Sequence, residues 1–230
     1  MKMKHFITLF FALTGGWICA QPSFNELDAE GRRHGPWKKN FKDGGVRYEG
    51  TFEHGEEVGT FTFYYPDGAK AAVKEYGVGP GDCYATMYHV TGKLFAQGSY
   101  VDTFKIGQWN YWDARGNFVS QEHYVDGVQD GKQYSFYTDS AVAEITHYEM
   151  GELHGDWRIY YDDGTLRAAG TYDHGALAGV AEYYNPTGDM DSKGKYYQGE
   201  KDGWWIFYEN KKPVRKVLYD RGKEIEAEDL

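Results

Sequence analysis

Cysteine is nearly absent from this chain, with only Cys19 and Cys83 among 230 residues. Cys19 lies in an N-terminal segment that reads as removable, which leaves one thiol and no internal disulfide. A disulfide-stapled secreted scaffold is therefore excluded. Basic residues are also scarce, 25 Lys and Arg against 35 Asp and Glu, for a formal charge of -10. Nucleic-acid and anionic-lipid binding both require clustered cations, so neither is expected. Helical periodicity is missing throughout. So are a Gly-x-Ser-x-Gly elbow, a Ser-His-Asp order and a phosphate-binding loop, which removes the usual footholds for an enzyme. The one long apolar run is "FITLFFALTGGWI", residues 6 to 18.

That run follows a basic start, "MKMKH", and precedes a small residue, Ala20. The layout is that of a secretory signal peptide spanning residues 1–20. The run is shorter than the ~20 residues a spanning helix needs. Losing Lys2 and Lys4 with the leader makes the chain still more acidic. The expected location is periplasmic, extracellular or cell-surface.

What the sequence has in abundance is aromatic residues, at 18% with 21 Tyr, together with 30 Gly. With few long aliphatics, this favours strands and tight turns. The glycines fall on a 24-residue period. Gly35, Gly59, Cys83, Gly107, Gly131, Gly155, Gly179 and Gly203 share position zero. Position nine is Gly in six units, with Ser140 and Lys212 in the others. Position seventeen is aromatic from Phe52 through Tyr196. Position two is a ring in Trp37, Phe61, Trp109, Trp157 and Trp205, but Ala85, Gln133 or Ala181 in the third, fifth and seventh units, a weak 48-residue superperiod. A period of this size means stacked repeats.

Each unit reads as a hairpin, two runs of about seven residues around a turn such as Asp67-Gly68 or Asp163-Gly164. Links such as "HGEEVG" join one hairpin to the next. The expected fold is all-β, an elongated single-sheet solenoid of about eight antiparallel hairpins, roughly 75 Å long at ~4.8 Å per strand. With the turn at positions eight and nine as a type I′ turn, Trp157 faces Gly170 and Tyr172 faces Gly155. The glycines then recur because rings lie over them. Leu166 and Ala168 fill the same face. The domain plan is a half repeat or cap at 21–34, seven repeats over 35–202, and a degenerate capping repeat with an acidic tail at 203–230. The last unit is irregular and ends in "KEIEAEDL", whose charges discourage edge pairing. A monomer is expected.

The pattern Gly-x-Trp, Tyr-Tyr, Asp-Gly, Tyr and again Gly, over about residues 27 to 223, resembles the MORN (membrane occupation and recognition nexus) repeat in its bacterial variant form. The resemblance implies a twisted antiparallel sheet serving in scaffolding, protein contact or lipid association. It offers no catalytic residues to transfer. Some bacterial relatives carry a toxin-antitoxin label as the antitoxin, a role that an exported chain would be poorly placed to fill.

Residues with chemical potential mostly have bland explanations. His34, His54, His154 and His174 recur in the links and read as solvated loop residues. His123 and His147 share position sixteen two strands apart, ~9.6 Å, which is wide for shared coordination. Asp67, Asp139 and Asp163 are turn formers. Cys83 replaces a repeat glycine. No metal, cofactor or catalytic residue is expected. The position-five row is more suggestive. Tyr64, Tyr88, Trp112, Phe136, Tyr160, Tyr184 and Tyr208 point away from the Trp-Gly face, shielded by Arg167 and Arg215 across the strand. These seven rings are the candidate contact surface. The expected function is a non-catalytic protein-interaction or scaffold module of a bacterial envelope, with a protein or an envelope polysaccharide as partner. The alternative is carbohydrate binding by the aromatic rows, since rings stack on sugar faces.

Overall fold

A computed structural model describes residues 23–78 and 82–230; the expected leader lies outside them. Among the described residues there is no helix, and twenty strands from Glu26–Leu27 to Lys223–Asp229 make one open sheet. Apart from two interrupted strands, each strand pairs antiparallel with the next in the chain, so the sheet is a continuous meander. The short strands Val128–Gln129 and Glu152–Leu153 continue, after one residue, as Gly131–Phe136 and Gly155–Tyr160 on the same partners. A free-standing sheet of this kind satisfies its backbone by local pairing alone, which suits a sequence built from short repeats.

Two kinds of turn alternate, and they correct the expected turn chemistry. The Asp-Gly turns are type I turns closed by a glycine bulge, not type I′. In the sixth unit Gly164 N–H donates to the Tyr161 carbonyl at 3.0 Å and Tyr161 N–H to Thr165 at 2.8 Å. Only Gly164, at φ +83°, needs the left-handed region. The aspartate before it turns back to accept from the residue two ahead, Thr165 N–H to Asp163 Oδ1 at 2.8 Å and Ala69 N–H to Asp67 Oδ1 at 2.9 Å. Type I′ geometry is found in six of the links, where both central residues have positive φ, as in His174 and Gly175 at +45° and +82°. Each of these glycine N–H groups also donates to a carbonyl of the preceding unit, for example Gly175 to Leu153 at 2.8 Å and Gly55 to Arg33 at 2.8 Å. The links are thereby held side by side along one end of the sheet.

The glycines themselves do two jobs. Trp157 pairs with Gly170, and Gly155 with Tyr172. Yet the position-zero glycines are not bare spots beneath rings. A Cβ at Gly35, Gly59, Gly107, Gly179 or Gly203 would meet nothing within 4 Å. They are glycine because φ lies between +62° and +76° there. At Gly59 the strand bulges against its predecessor, the pairing jumping from Thr51–Val58 to Glu49–Thr62. Cys83 supports this explanation. Its φ is not positive, and the pairing of its strand with Lys70–Tyr76 runs without interruption.

The sterically required glycines sit at position fifteen. A Cβ at Gly50, Gly98 or Gly194 would come under 3.0 Å from the ring of Phe61, Trp109 or Trp205. Each ring belongs to the following hairpin, so the glycine is covered across a link rather than within its own hairpin. Phe61 and Trp109 are 0% exposed and Trp205 is 1%. Ala85 and Ala96 are buried with Trp109 in one cluster, and Ala181 is buried in the seventh unit. The large–small alternation of the superperiod is thus a packing rule that spans pairs of units. Trp109 and Trp205 donate their indole N–H to the backbone carbonyls of Ser99 and Lys195 at 3.2 and 3.0 Å.

The fifth unit departs from that rule. Thr146 occupies position fifteen, so no bare strand awaits the next ring. Trp157 instead donates to the Glu144 carboxylate at 2.8 Å, and it is 7% exposed.

Candidate contact surface

The bulge after each Asp-Gly turn fixes which side chains share a face. Tyr160 pairs with Leu166, and Ile159 with Ala168. Leu166 therefore lies across from the position-five ring, not on the Trp-Gly face with Ala168. The same shift corrects the expected arginine shield. Tyr208 pairs with Pro213, not Arg215, and the Arg167 guanidinium lies over the neighbouring Tyr161 ring at 5.7 Å.

The seven expected contact residues, Tyr64, Tyr88, Trp112, Phe136, Tyr160, Tyr184 and Tyr208, are all half-buried. Each keeps part of its ring open, because a single-layer sheet has no second layer to cover it. Trp112 and Phe118 lie 5.3 Å apart, and Phe118 and Phe136 4.7 Å, so the middle of the row is a continuous aromatic run. Carboxylates anchor two of the phenols. Tyr64 donates to Glu49 at 2.6 Å, and Tyr184 donates to Glu182 at 2.8 Å. The Tyr64 bond lowers the Glu49 pKa from its ordinary value, and the same bond raises that of Tyr64.

Three further features had gone unread in the sequence. First, a tyrosine directly after three of the row rings staples neighbouring units. Tyr65, Tyr137 and Tyr161 donate to the carbonyls of Tyr88, Tyr160 and Tyr184 at 2.8, 2.7 and 2.9 Å. The doubled aromatic in "FYY", "SFY" and "IYY" was the signal. Second, Lys105 and Lys201 lie over rings of the Trp-Gly face. The Lys201 ammonium is 4.2 Å from the Trp205 ring and 5.1 Å from Tyr219. Lys105 is 4.9 Å from both Trp109 and Tyr124. Burial pushes both lysine pKa values down. They sit two positions before the repeat glycine, four units apart. Third, the link histidines pair, with ring centroids 4.9 Å apart for His34 and His54, and 5.6 Å for His154 and His174.

A depression of about 870 Å³ is lined by Arg33, Glu57, Lys74, Tyr76, Asp82 and Cys83, among others. Tyr76 donates to Glu57 there, the Lys74 ammonium lies 5.2 Å from the Tyr100 ring, and Cys83 is 2% exposed with its thiol pKa raised by burial. A buried protonated thiol is a poor nucleophile. No helix of the described residues is long and apolar enough to cross a membrane.

The fold defines a class, the single-layer arrays of β-hairpin repeats. Within that class, the family described as "MORN repeat variant" matches residues 33–54 and 153–174, the units carrying the paired histidines. These two units are MORN repeats of the variant form, a repeat family that is generally non-catalytic. No curated protein matches the sequence. Among solved structures, the crystal structure of TcdB2-TccC3-Cdc42 is similar at 12% identity over 82% of this chain, with a TM-score of 0.17. The match spans 12% of that much longer chain.

Proposed function

We infer that this repeat protein is a non-catalytic interaction or scaffold module of the bacterial envelope, which uses the position-five ring row to hold a protein partner. The observation that carries this inference is the row itself: seven half-buried rings repeated along one face of an open sheet. Apolar rings in contiguous array on an uncovered face favour a contact surface, and aromatic residues are enriched at the anchors of interfaces. The export-like segment at residues 1–20 supports an extracytoplasmic location, and the acidic charge argues against nucleic acid or anionic lipid as partner. The chain is proposed to act as a monomer.

The test is affinity capture from envelope extract with wild type and a variant carrying Tyr88→Ser, Tyr160→Ser and Tyr184→Ser. A partner retained by wild type and lost by the folded variant supports the inference. Equal recovery by both removes the row from the interface.

A second reading, carbohydrate binding, is favoured by the Glu49 and Glu182 carboxylates beside Tyr64 and Tyr184. Acceptors beside rings suit sugar hydroxyls above an apolar sugar face. Glycan-array binding that the same variant abolishes would select it.

A further inference from the structure

The links at one end of the sheet bring together His154, Asp173 and His174, whose ligand atoms lie within 4.8 Å of one another. Two backbone devices set that proximity. Asp173 and His174 open a type I′ turn, and its Gly175 N–H donates to the Leu153 carbonyl, beside His154, at 2.8 Å. His154 is fixed in turn by its own N–H to the His147 carbonyl at 2.9 Å. Between the two rings lies one carboxylate oxygen, Asp173 Oδ1, at 3.6 Å from His154 Nδ1 and 3.9 Å from His174 Nε2. Donors around a tetrahedral ion with bonds of ~2.0–2.1 Å stand about 3.4 Å apart. Small rotations of exposed side chains close the difference.

The outward nitrogens carry the decisive observation. His154 Nε2 is 3.6 Å from Glu149 Oε2, and His174 Nδ1 is 3.5 Å from Glu152 Oε2. Each imidazole therefore has one nitrogen turned to the shared Asp173 oxygen and the other to a separate glutamate. Carboxylate–histidine–metal sites are built this way, the second carboxylate fixing the tautomer and raising ligand basicity.

We propose that His154, Asp173 and His174 bind one divalent transition-metal ion of the zinc, nickel or copper class, supported by Glu149 and Glu152. Two imidazoles and one carboxylate select that class over magnesium or calcium, which favour oxygen alone. Three protein ligands leave a fourth position open to water.

The first unit supplies an internal contrast. His34 and His54 pair similarly, but Arg32 Nη2 lies 2.9 Å from both His54 Nδ1 and Asp28 Oδ2, and 3.1 Å from Glu30. The protein's own guanidinium fills that cluster and repels a cation.

Zinc titration by calorimetry on the full chain without an affinity tag tests the proposal. One zinc per chain is expected, with no binding of magnesium. His154→Ala and His174→Ala should each weaken zinc at least tenfold, and Glu149→Gln with Glu152→Gln by about 10- to 100-fold. His54→Ala should leave affinity unchanged. Circular dichroism checks that each variant folds, as expected for exposed side chains. No zinc binding by wild type at millimolar concentration would overturn the proposal. So would unchanged affinity in His154→Ala or His174→Ala, or a loss in His54→Ala as large as theirs. Unchanged affinity in the double glutamine variant would overturn the supporting role of the glutamates.

Discussion

Adding one methyl group at Gly98 should cost more than adding it at Gly107, although both glycines belong to the same repeat pattern. A Cβ at Gly98 would sit under 3.0 Å from the Trp109 indole, whereas a Cβ at Gly107 would meet nothing within 4 Å. Carbon atoms in contact prefer about 3.5–4.0 Å, so the Gly98→Ala methyl intrudes by over half an ångström into a rigid ring. Trp109 is 0% exposed, pinned by Ala85 and Ala96 below and by its N–H bond to Ser99, and it has no free direction to retreat. Overpacking of this kind costs roughly 1–3 kcal/mol, and the fixed ring places it at the upper end, about 3 kcal/mol. Gly107→Ala meets no clash but must hold φ at +62°, a strain of about 1–2 kcal/mol. Urea titration followed by circular dichroism reads both. Trp109→Leu supplies the control: in the double variant the clash is relieved, so the two costs should fall short of additivity by at least about 1 kcal/mol. A Gly98→Ala protein less destabilised than Gly107→Ala, or strictly additive costs with Trp109→Leu, refutes the packing argument.

Other consequences are open to direct measurement. Glu144→Ala should destabilise by about 1.5 kcal/mol through the lost indole bond, but not in a Thr146→Gly background, where Trp157 can turn to a backbone carbonyl as Trp109 and Trp205 do; equal loss in both backgrounds would contradict this. Hydrogen bonds from His54 and Arg32 hold the Asp28 carboxyl well below the usual carboxylate range. A depressed folded pKa contributes stability above the unfolded value of about 4, lost as pH falls towards the folded one, so Asp28→Asn should lack part of the wild-type loss between pH 5 and 2 in urea midpoints. Deleting residues 203–230 removes the fully exposed edge strand Lys223–Asp229 and bares Met190–Tyr197. Self-association of that truncation in sedimentation is expected, and a stable monomer would argue against capping.

The period made the hairpins legible, because glycines and rings return in a register that a single layer of strands explains. It did not separate the two glycine roles. Gly155 and Gly170 look alike in a sequence, and only backbone φ and the ring above distinguish a left-handed position from a covered one. The faces near the turns were misassigned for a related reason. One bulge residue, such as Arg167, moves Leu166 to the other side of the sheet, and Asp-Gly fits both type I′ and bulged type I turns. In the eighth unit the turn is the two-residue kind, with Asn210 and Lys211 at positive φ, which is why its late tyrosine falls one place early, at Tyr219. The position-five row was legible as a row because alternation survives up to the bulge. The histidine clusters were not, since His154 and His174 are twenty residues apart and meet only through the stapling of successive links.

The central functional claim is that the position-five row meets a partner, and site-specific photocrosslinking tests it most directly. A photoreactive phenylalanine analogue is placed at Tyr88, Tyr160 or Tyr184 in the row, and for comparison at Met150 or Gln198 in the links. In envelope preparations the row positions should yield one common adduct band that the link positions do not. Adducts from the links alone, or none from the row while the protein remains folded, would contradict the claim.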